Sequence, residues 1–247
     1  MQKIKDNILI KKILRFNLDN RDKWIEEESA FCLSGSFVID IGAGSCPYKK
    51  YFQHCNYKSH DFKKLYPGQL QDRADYCKID IVGDITKIPI ESDSVDVALC
   101  TEVIEHVPDP IEAIYEIARI LKPGGILLLS APLASGLHQE PYHFYGGYTP
   151  YWYQLFLRKA GFDQIMIKAN GGFFSHYAQE SLRFIHLFLT SKDWRALVFL
   201  PILMLALPWA VLTSFLSKFL DILDKDKKYT VGYFVTAKKR KKADALM

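Results

Sequence analysis

Among the five cysteines, Cys32, Cys46, Cys55, Cys77 and Cys100, there is no C-x-x-C pair and no zinc spacing, so neither a thioredoxin-like redox motif nor a structural zinc site is encoded. Read on their own they are reduced thiols of a cytoplasmic protein. The H-E-x-x-H pattern is also missing. His138 and His143 stand five positions apart in a loop-like stretch, and no metal is expected. The opening residues, MQKIKDNILIKK, have no uninterrupted apolar core and no small-residue cleavage site, which argues against secretion. Net charge is only +4 over 247 residues and no basic face interleaved with aromatics is evident, so nucleic acid is not an expected partner. No internal repeat or low-complexity tract occurs. With 49% hydrophobic and 24% charged residues, the chain suits one globular α/β domain with an insertion.

What is present is organised around Phe37–Pro47, FVIDIGAGSCP. An apolar run through Ile41 enters Gly42-Ala43-Gly44, the pattern of a buried parallel strand ending in a tight turn. Glycines there permit positive φ and close approach of the backbone to a ligand. The dinucleotide fingerprint G-x-G-x-x-G requires a third glycine beside the pyrophosphate; Pro47 stands at that position. Beginning with Asp40, the remaining acid-x-Gly-x-Gly pattern suits a nucleotide-like cofactor without phosphates.

Ile4, Ile8, Ile13, Leu14, Trp24, Ile25 and Phe31 recur among charges, which predicts amphipathic helices ahead of the first strand, serving as a cover or as a lid. Tyr48–Phe52 can begin a helix. A second strand, Asn56–Ser59, ends at His60-Asp61, and Asp61 lies 17 positions beyond Gly44. An acid at that strand tip is placed to accept hydrogen bonds from ribose hydroxyls. A third strand is expected over Asp75–Val82, followed by Asp84, able to accept from an adenine amine, and Ile85, an apolar wall for the ring. The fourth, Ser94–Cys100, empties into Thr101-Glu102 and then His106, which either fixes the turn before the Pro108 helix or takes part in the chemistry. Ile111, Ile114, Ile117, Ile120 and Leu121 space a helix that Lys122-Pro123-Gly124-Gly125 stops before a buried fifth strand, Ile126–Ser130. This alternation predicts a doubly wound parallel sheet with ligands outside the carboxyl ends of its strands.

The stretches VIDIGAG (38–44), HD (60–61), GDITKIPIESDSVDVALCTEVIEHVPDP (83–110), ARILKPGGILLLSAP (118–132) and TPYWYQLFLRKAGF (149–162) resemble, in that order, the class I S-adenosylmethionine-dependent methyltransferases, in particular the group with the compact methyltransferase domain. The resemblance covers roughly residues 37 to 170 and a final strand. It implies a Rossmann-like α/β fold, a seven-stranded sheet whose last strand is antiparallel beside the fifth. It also implies S-adenosylmethionine as cofactor, with Gly42, Ala43 and Gly44 near the methionyl part, Asp61 on the ribose, Asp84 and Ile85 on the adenine, and Thr101 and Glu102 along the wall; Asp40 completes the cofactor-binding set. Ser45-Cys46-Pro47 departs from the family's commoner glycine-rich continuation. The family has no universal base. Candidates to bind the acceptor or remove its proton are His138, His143 and Tyr145, in the polar-aromatic loop Leu137–Tyr145; the alternative is a packed loop holding a lid.

Domain organisation is therefore read as an N-terminal helical segment (1–36), the methyltransferase core (37–170), an apolar helical insertion (171–228) between strands six (Asp163–Ala169) and seven (Tyr229–Ala237), and a final strand with a basic tail (229–247). Ala196–Leu216 has no charged residue and meets the length of a transmembrane helix. Strand seven must return to the sheet, however, and Pro201 and Pro208 interrupt a straight helix. Peripheral or re-entrant membrane contact at the cytoplasmic face is expected, with burial in a cap or homodimer as the alternative. Asp224–Lys242 carries eight Lys/Arg against two Asp, a local +6 able to attract anionic headgroups. The acceptor is expected to be a small or lipid-linked molecule methylated at a hydroxyl, of glycan or isoprenoid type. A non-catalytic adaptor with the same fold and a nicotinamide oxidoreductase are the rivals. The first should have lost the cofactor residues, and the second lacks its third glycine.

Overall fold

The computed structural model describes residues 15–66, 68–70 and 75–241. Ile4, Ile8, Ile13 and Leu14 of the expected N-terminal helices, and Lys242 of the basic tail, lie outside them. One compact unit comprises Asp22–Lys168 and the chain from Gly232 onward; the other comprises the described residues up to Arg21 with Ala169–Val231.

The first unit is built on β1 (Phe37–Ile41), β2 (Asn56–Asp61), β3 (Ile81–Val82), β4 (Val95–Thr101), β5 (Leu121–Pro132), β6 (Phe162–Ala169) and β7 (Gly232–Lys239), in the spatial order β3-β2-β1-β4-β5-β7-β6. β1 is parallel to β2 and β4, and β4 to β5, while β7 is antiparallel to β5 from Ile126↔Lys238 to Pro132↔Gly232. The sheet is thus seven-stranded and α/β with its last strand reversed, as expected. Its central strands read as unbroken apolar runs because both faces are covered: Val38, Ile39, Ala98, Leu99, Leu127 and Leu129 are fully buried. Strand order reverses between β1 and β4, and the carboxyl ends there flank a crevice.

Helix α1 (Phe16–Ser29) contributes Trp24 and Ile25 to this core, and Trp24 stacks on Phe234 with ring centroids 4.8 Å apart. That half of α1 is a covering helix. Phe31, expected on the same apolar face, is instead 80% exposed, because the helix ends at Ser29. Helix α2 (Pro110–Ile120) starts where the Asp109 side chain accepts from the Glu112 N–H and Pro110 occupies the first turn; Ile114, Ile117 and Ile120 are buried beneath it. Helix α3 (Pro150–Lys159) is capped in the same way by Thr149.

Four boundaries differ from the sequence reading. Tyr48–Phe52 yields only a 3-10 turn, Lys49–Phe52. The third strand shrinks to two residues because Asp80 takes over its edge: its carboxylate accepts from the N–H and the hydroxyl of Ser59, at 2.9 and 3.0 Å, where a longer strand would offer carbonyls. Lys122–Gly125 does not separate helix from strand; it is an irregularity within β5, where pairing jumps from Val95↔Leu121 to Val97↔Ile126. The last strand begins at Gly232, leaving Tyr229 exposed.

The second unit is dominated by α4 (Phe173–Thr190), a 3-10 turn (Trp194–Phe199) and α5 (Leu200–Leu220). Pro201 falls in the first turn, where no N–H is needed, and Pro208 lies inside a helix that continues past it, so the prolines do not divide the apolar run as expected. Ile185, Leu203 and Ala210 form a small core between α4 and α5. Gly172 precedes α4 and has no side chain to cap it. Asp221, just past α5, supplies the missing acceptor: its carboxylate takes the N–H of Gly172 (2.9 Å) and of Ser175 (3.1 Å) and the Ser175 hydroxyl. The two ends of the hairpin are tied together. The stretch Leu200–Ser217 is long and apolar enough to cross a membrane, with 17% of it buried.

Candidate functional site

At the carboxyl ends of β1, β2 and β4 the sheet unit opens a cavity of about 320 Å³, the size of a small-molecule site. Gly42 takes φ +72° and Gly44 φ +53°. A Cβ built on Gly42 would lie 2.3 Å from Val103 Cγ2, so the turn has room for glycine alone and its main chain forms the cavity wall. The His60 carbonyl accepts the Gly42 and Ala43 N–H groups at 2.8 and 3.0 Å, and the Gly44 N–H donates to Asp61 Oδ2 at 3.0 Å. The turn is therefore fastened to the tip of β2 from both main chain and side chain.

Every residue expected to bind the cofactor, Asp40, Gly42, Ala43, Gly44, Asp61, Asp84, Ile85, Thr101 and Glu102, borders this cavity. Their environments differ. Asp40 is buried and accepts from the Tyr57 hydroxyl at 2.5 Å; burial pushes its carboxyl up to about 7 against that hydrogen bond. Asp61 accepts from Gly44 and, through Oδ1, from the Lys63 N–H at 2.7 Å. Burial raises its pKa while these donors oppose the rise. Asp84 is exposed and held low by the Thr86 N–H and hydroxyl. Glu102 sits at φ +53°, its N–H bonded to the Ser130 carbonyl and its Oε1 taking the Ser130 hydroxyl, both at 2.8 Å.

The Ser45-Cys46-Pro47 departure acquires a structural account. Cys46, at φ +56°, is joined to Cys77 in a disulfide with Cα atoms 5.9 Å apart, and the Cys77 N–H donates to the Gly44 carbonyl at 3.0 Å. The expectation of five reduced thiols is corrected for these two; Cys32, Cys55 and Cys100 are free. A partner 31 positions away gives no local sequence signal.

On the opposite side the loop Leu137–Tyr145 turns Gln139, Tyr142 and Phe144 to the cavity, and His106 joins them. His138, His143 and Tyr145, the expected acceptor-side residues, do not line it. The Tyr145 hydroxyl donates to the Pro108 carbonyl at 2.9 Å, and His138 and His143 pack edge-on against His106 and each other with centroids 4.5–5.5 Å apart. They stand one ring behind the wall because the Phe144 and Tyr145 N–H groups both bond to the Glu105 carbonyl, fixing the loop's orientation. Two lining histidines stand outside the expected cofactor and acceptor residues, although the sequence leaves His106 open to a part in the chemistry. His60 is 1% exposed with neither ring nitrogen partnered among the described residues, and burial lowers its pKa to about 4. His106 is likewise lowered to about 4 by burial. His60 was hinted at only by its place at the end of β2, whereas His106 lies past β4, in the 3-10 turn Ile104–His106.

Residues 39–129 match the model of a family described as "Methyltransferase domain". A ubiquinone biosynthesis O-methyltransferase of Dechloromonas aromatica is 32% identical over 119 residues, covering 44% of this chain and 49% of that protein. A probable S-adenosylmethionine-dependent methyltransferase of Mycolicibacterium smegmatis is 41% identical over 61 residues, 24% of each chain. The chain spans about half or less of the length of these relatives. Among solved structures, a SAM dependent methyltransferase from Archaeoglobus fulgidus superposes with TM-score 0.56 at 13% identity, covering 95% of this chain and all of that one. Phosphoethanolamine N-methyltransferase 2 of Haemonchus contortus, in complex with S-adenosyl-L-methionine, gives 0.52 at 18% identity over 90% of this chain and 53% of that one. At these identities the likeness is one of fold.

Proposed function

Because the chain carries a class I S-adenosylmethionine-dependent methyltransferase domain, we propose that it transfers a methyl group to a hydroxyl of a small or lipid-linked acceptor, of glycan or isoprenoid type. The observation that carries this reading is the fastening of the glycine turn to Asp61 around a cavity that admits no side chain at Gly42. Bound S-adenosylmethionine supplies an electrophilic methyl on a sulfonium. Asp61, which already accepts from Gly44, Lys63 and Tyr76, would take a ribose hydroxyl as a further donor, the bare main chain of Gly42–Gly44 would let the methionyl part approach, and Ile85 with Asp84 would receive the adenine. Thr101 and Glu102 bound the far wall. Asp40, two residues before Gly42, ties β1 to β2 through the Tyr57 hydroxyl. The protein's share of the rate is then alignment and exclusion of water rather than covalent chemistry. Gln139, Tyr142, Phe144 and His106 form the acceptor wall, with His138, His143 and Tyr145 positioning it.

An oxygen acceptor accords with the relative named for ubiquinone O-methylation. A lipophilic one accords with the α4–α5 hairpin, whose Leu187, Met204 and Leu205 are more than 60% exposed. Its tied ends favour an element that dips into the cytoplasmic face of a membrane and returns; a homodimer burying the same surface is the rival. The test is calorimetry with S-adenosylhomocysteine, followed by labelled-methyl transfer to fractionated lipid and glycan extracts. Binding with transfer into one fraction is expected. Binding without transfer to any fraction would favour the adaptor, and no binding would overturn the assignment.

A further inference from the structure

Behind the acceptor wall, His106, His138 and His143 each offer a ring nitrogen, and the three nitrogens lie within 4.8 Å of one another. Two of the rings have their tautomer set by the main chain. His106 Nδ1 lies 2.5 Å from the Tyr142 carbonyl and His138 Nδ1 2.9 Å from the Gly136 carbonyl. A carbonyl only accepts, so both Nδ1 atoms carry the proton and both Nε2 atoms keep a lone pair. This is how metal-ligating imidazoles are oriented by their surroundings. His143 Nδ1 is buried and has no hydrogen-bond partner among the described residues. A lone pair, or a proton, is left there for a partner that none of the described residues supplies. The Glu105 carboxylate stands 3.8 Å from His106 Nε2.

We propose that His106, His138 and His143 form a binding site for one divalent transition cation of the zinc class. Three neutral imidazoles suit a borderline ion such as Zn²⁺ better than the oxygen-seeking Mg²⁺ or Ca²⁺. Tetrahedral Zn–N bonds of about 2.0–2.1 Å need the nitrogens about 3.3–3.4 Å apart, so the rings must draw inward. His138 is the most exposed of the three rings, with solvent on one side. Three protein ligands leave a position open to an oxygen ligand, and His106 also lines the cavity. The site stands without the methyl-transfer reading.

Untagged protein stripped with chelator should take up one Zn²⁺ per chain in equilibrium dialysis, and Co²⁺ should give the visible absorption of a four- or five-coordinate site. His138→Ala, on an exposed side chain, should weaken Zn²⁺ binding at least tenfold, and His138→Ala/His143→Ala should abolish it. His186→Ala, on the exposed face of α4, should leave it unchanged, as should addition of S-adenosylhomocysteine at its own site. Absence of stoichiometric Zn²⁺ in the wild type, or equal affinity in the double variant, would overturn the proposal. Intact S-adenosylhomocysteine binding by the variants separates loss of metal from loss of fold.

Discussion

At the glycine turn the cavity wall is main chain, with Gly42 and Ala43 bonded to the His60 carbonyl and Gly44 to Asp61, whereas across the cavity the wall is side chain: Gln139, Tyr142, Phe144 and His106. A main-chain wall constrains residue type absolutely, since a single methyl group collides. A side-chain wall constrains only shape and polarity, and many residues satisfy it. The first wall should therefore fail as a unit, cofactor affinity and stability together. The second should change acceptor handling while cofactor affinity persists.

The sharpest test of that contrast is Gly42→Ala. Forcing a Cβ into the left-handed region costs about 1–2 kcal/mol, and the new atom would sit 2.3 Å from Val103 Cγ2. We expect S-adenosylhomocysteine binding to be lost in calorimetry and the denaturation midpoint to fall. Adding Val103→Ala should restore part of the stability, because it removes the colliding methyls and leaves the backbone term. Full stability in Gly42→Ala alone would mean the turn is not held as described.

Next in size is a pH effect from Asp40. Its carboxyl is raised by burial from 3.8 to about 7, so between those values the folded chain holds a proton that the unfolded chain has released. This contribution is complete below about pH 4 and is lost as pH rises through 7. His60, lowered to about 4, acts in the opposite sense over about pH 4–6.5, because there the unfolded chain binds the extra proton. The measurement is therefore a difference: the stability of wild type minus that of Asp40→Asn, by denaturant titration, should decline from pH 4 to 7. A flat difference would place Asp40 in contact with water.

Asp61→Ala should weaken S-adenosylhomocysteine binding by about 1–3 kcal/mol, the scale of losing a buried acceptor, and it also strips the Gly44 and Lys63 N–H groups of their partner. Equal affinity in wild type and variant would break the link between the β2 tip and the turn.

This same contrast governs what could be read from sequence. Gly42, Gly44 and the acids at strand ends were legible because each stands where backbone geometry or charge permits few substitutes, and the apolar strands because burial on both faces demands unbroken hydrophobic runs. The hairpin was visible as an uncharged run, though not its closure by Asp221, a contact across 46–49 positions. The Cys46–Cys77 bond and the meeting of His106 with His138 and His143 were hidden for the same reason. Both depend on the path of intervening loops, which no periodicity records.

The smallest expected effect concerns Tyr145, one of the residues expected at the acceptor. Its hydroxyl is engaged by the Pro108 carbonyl at 2.9 Å, and its ring lies 5.8 Å from that of Tyr148, whose own hydroxyl donates to the Ile104 carbonyl at 2.8 Å. Tyr145 thus clasps the loop to the segment leading into α2. Tyr145→Phe keeps the ring and deletes one partly exposed hydrogen bond, which should cost about 0.5–1.5 kcal/mol of stability. S-adenosylhomocysteine affinity should not change, and methyl transfer, once an acceptor is in hand, should stay within a few-fold of wild type. A transfer rate reduced a hundredfold at unchanged stability would show instead that the hydroxyl leaves Pro108 to meet the acceptor, and that this wall carries a proton-transfer group as well as a surface.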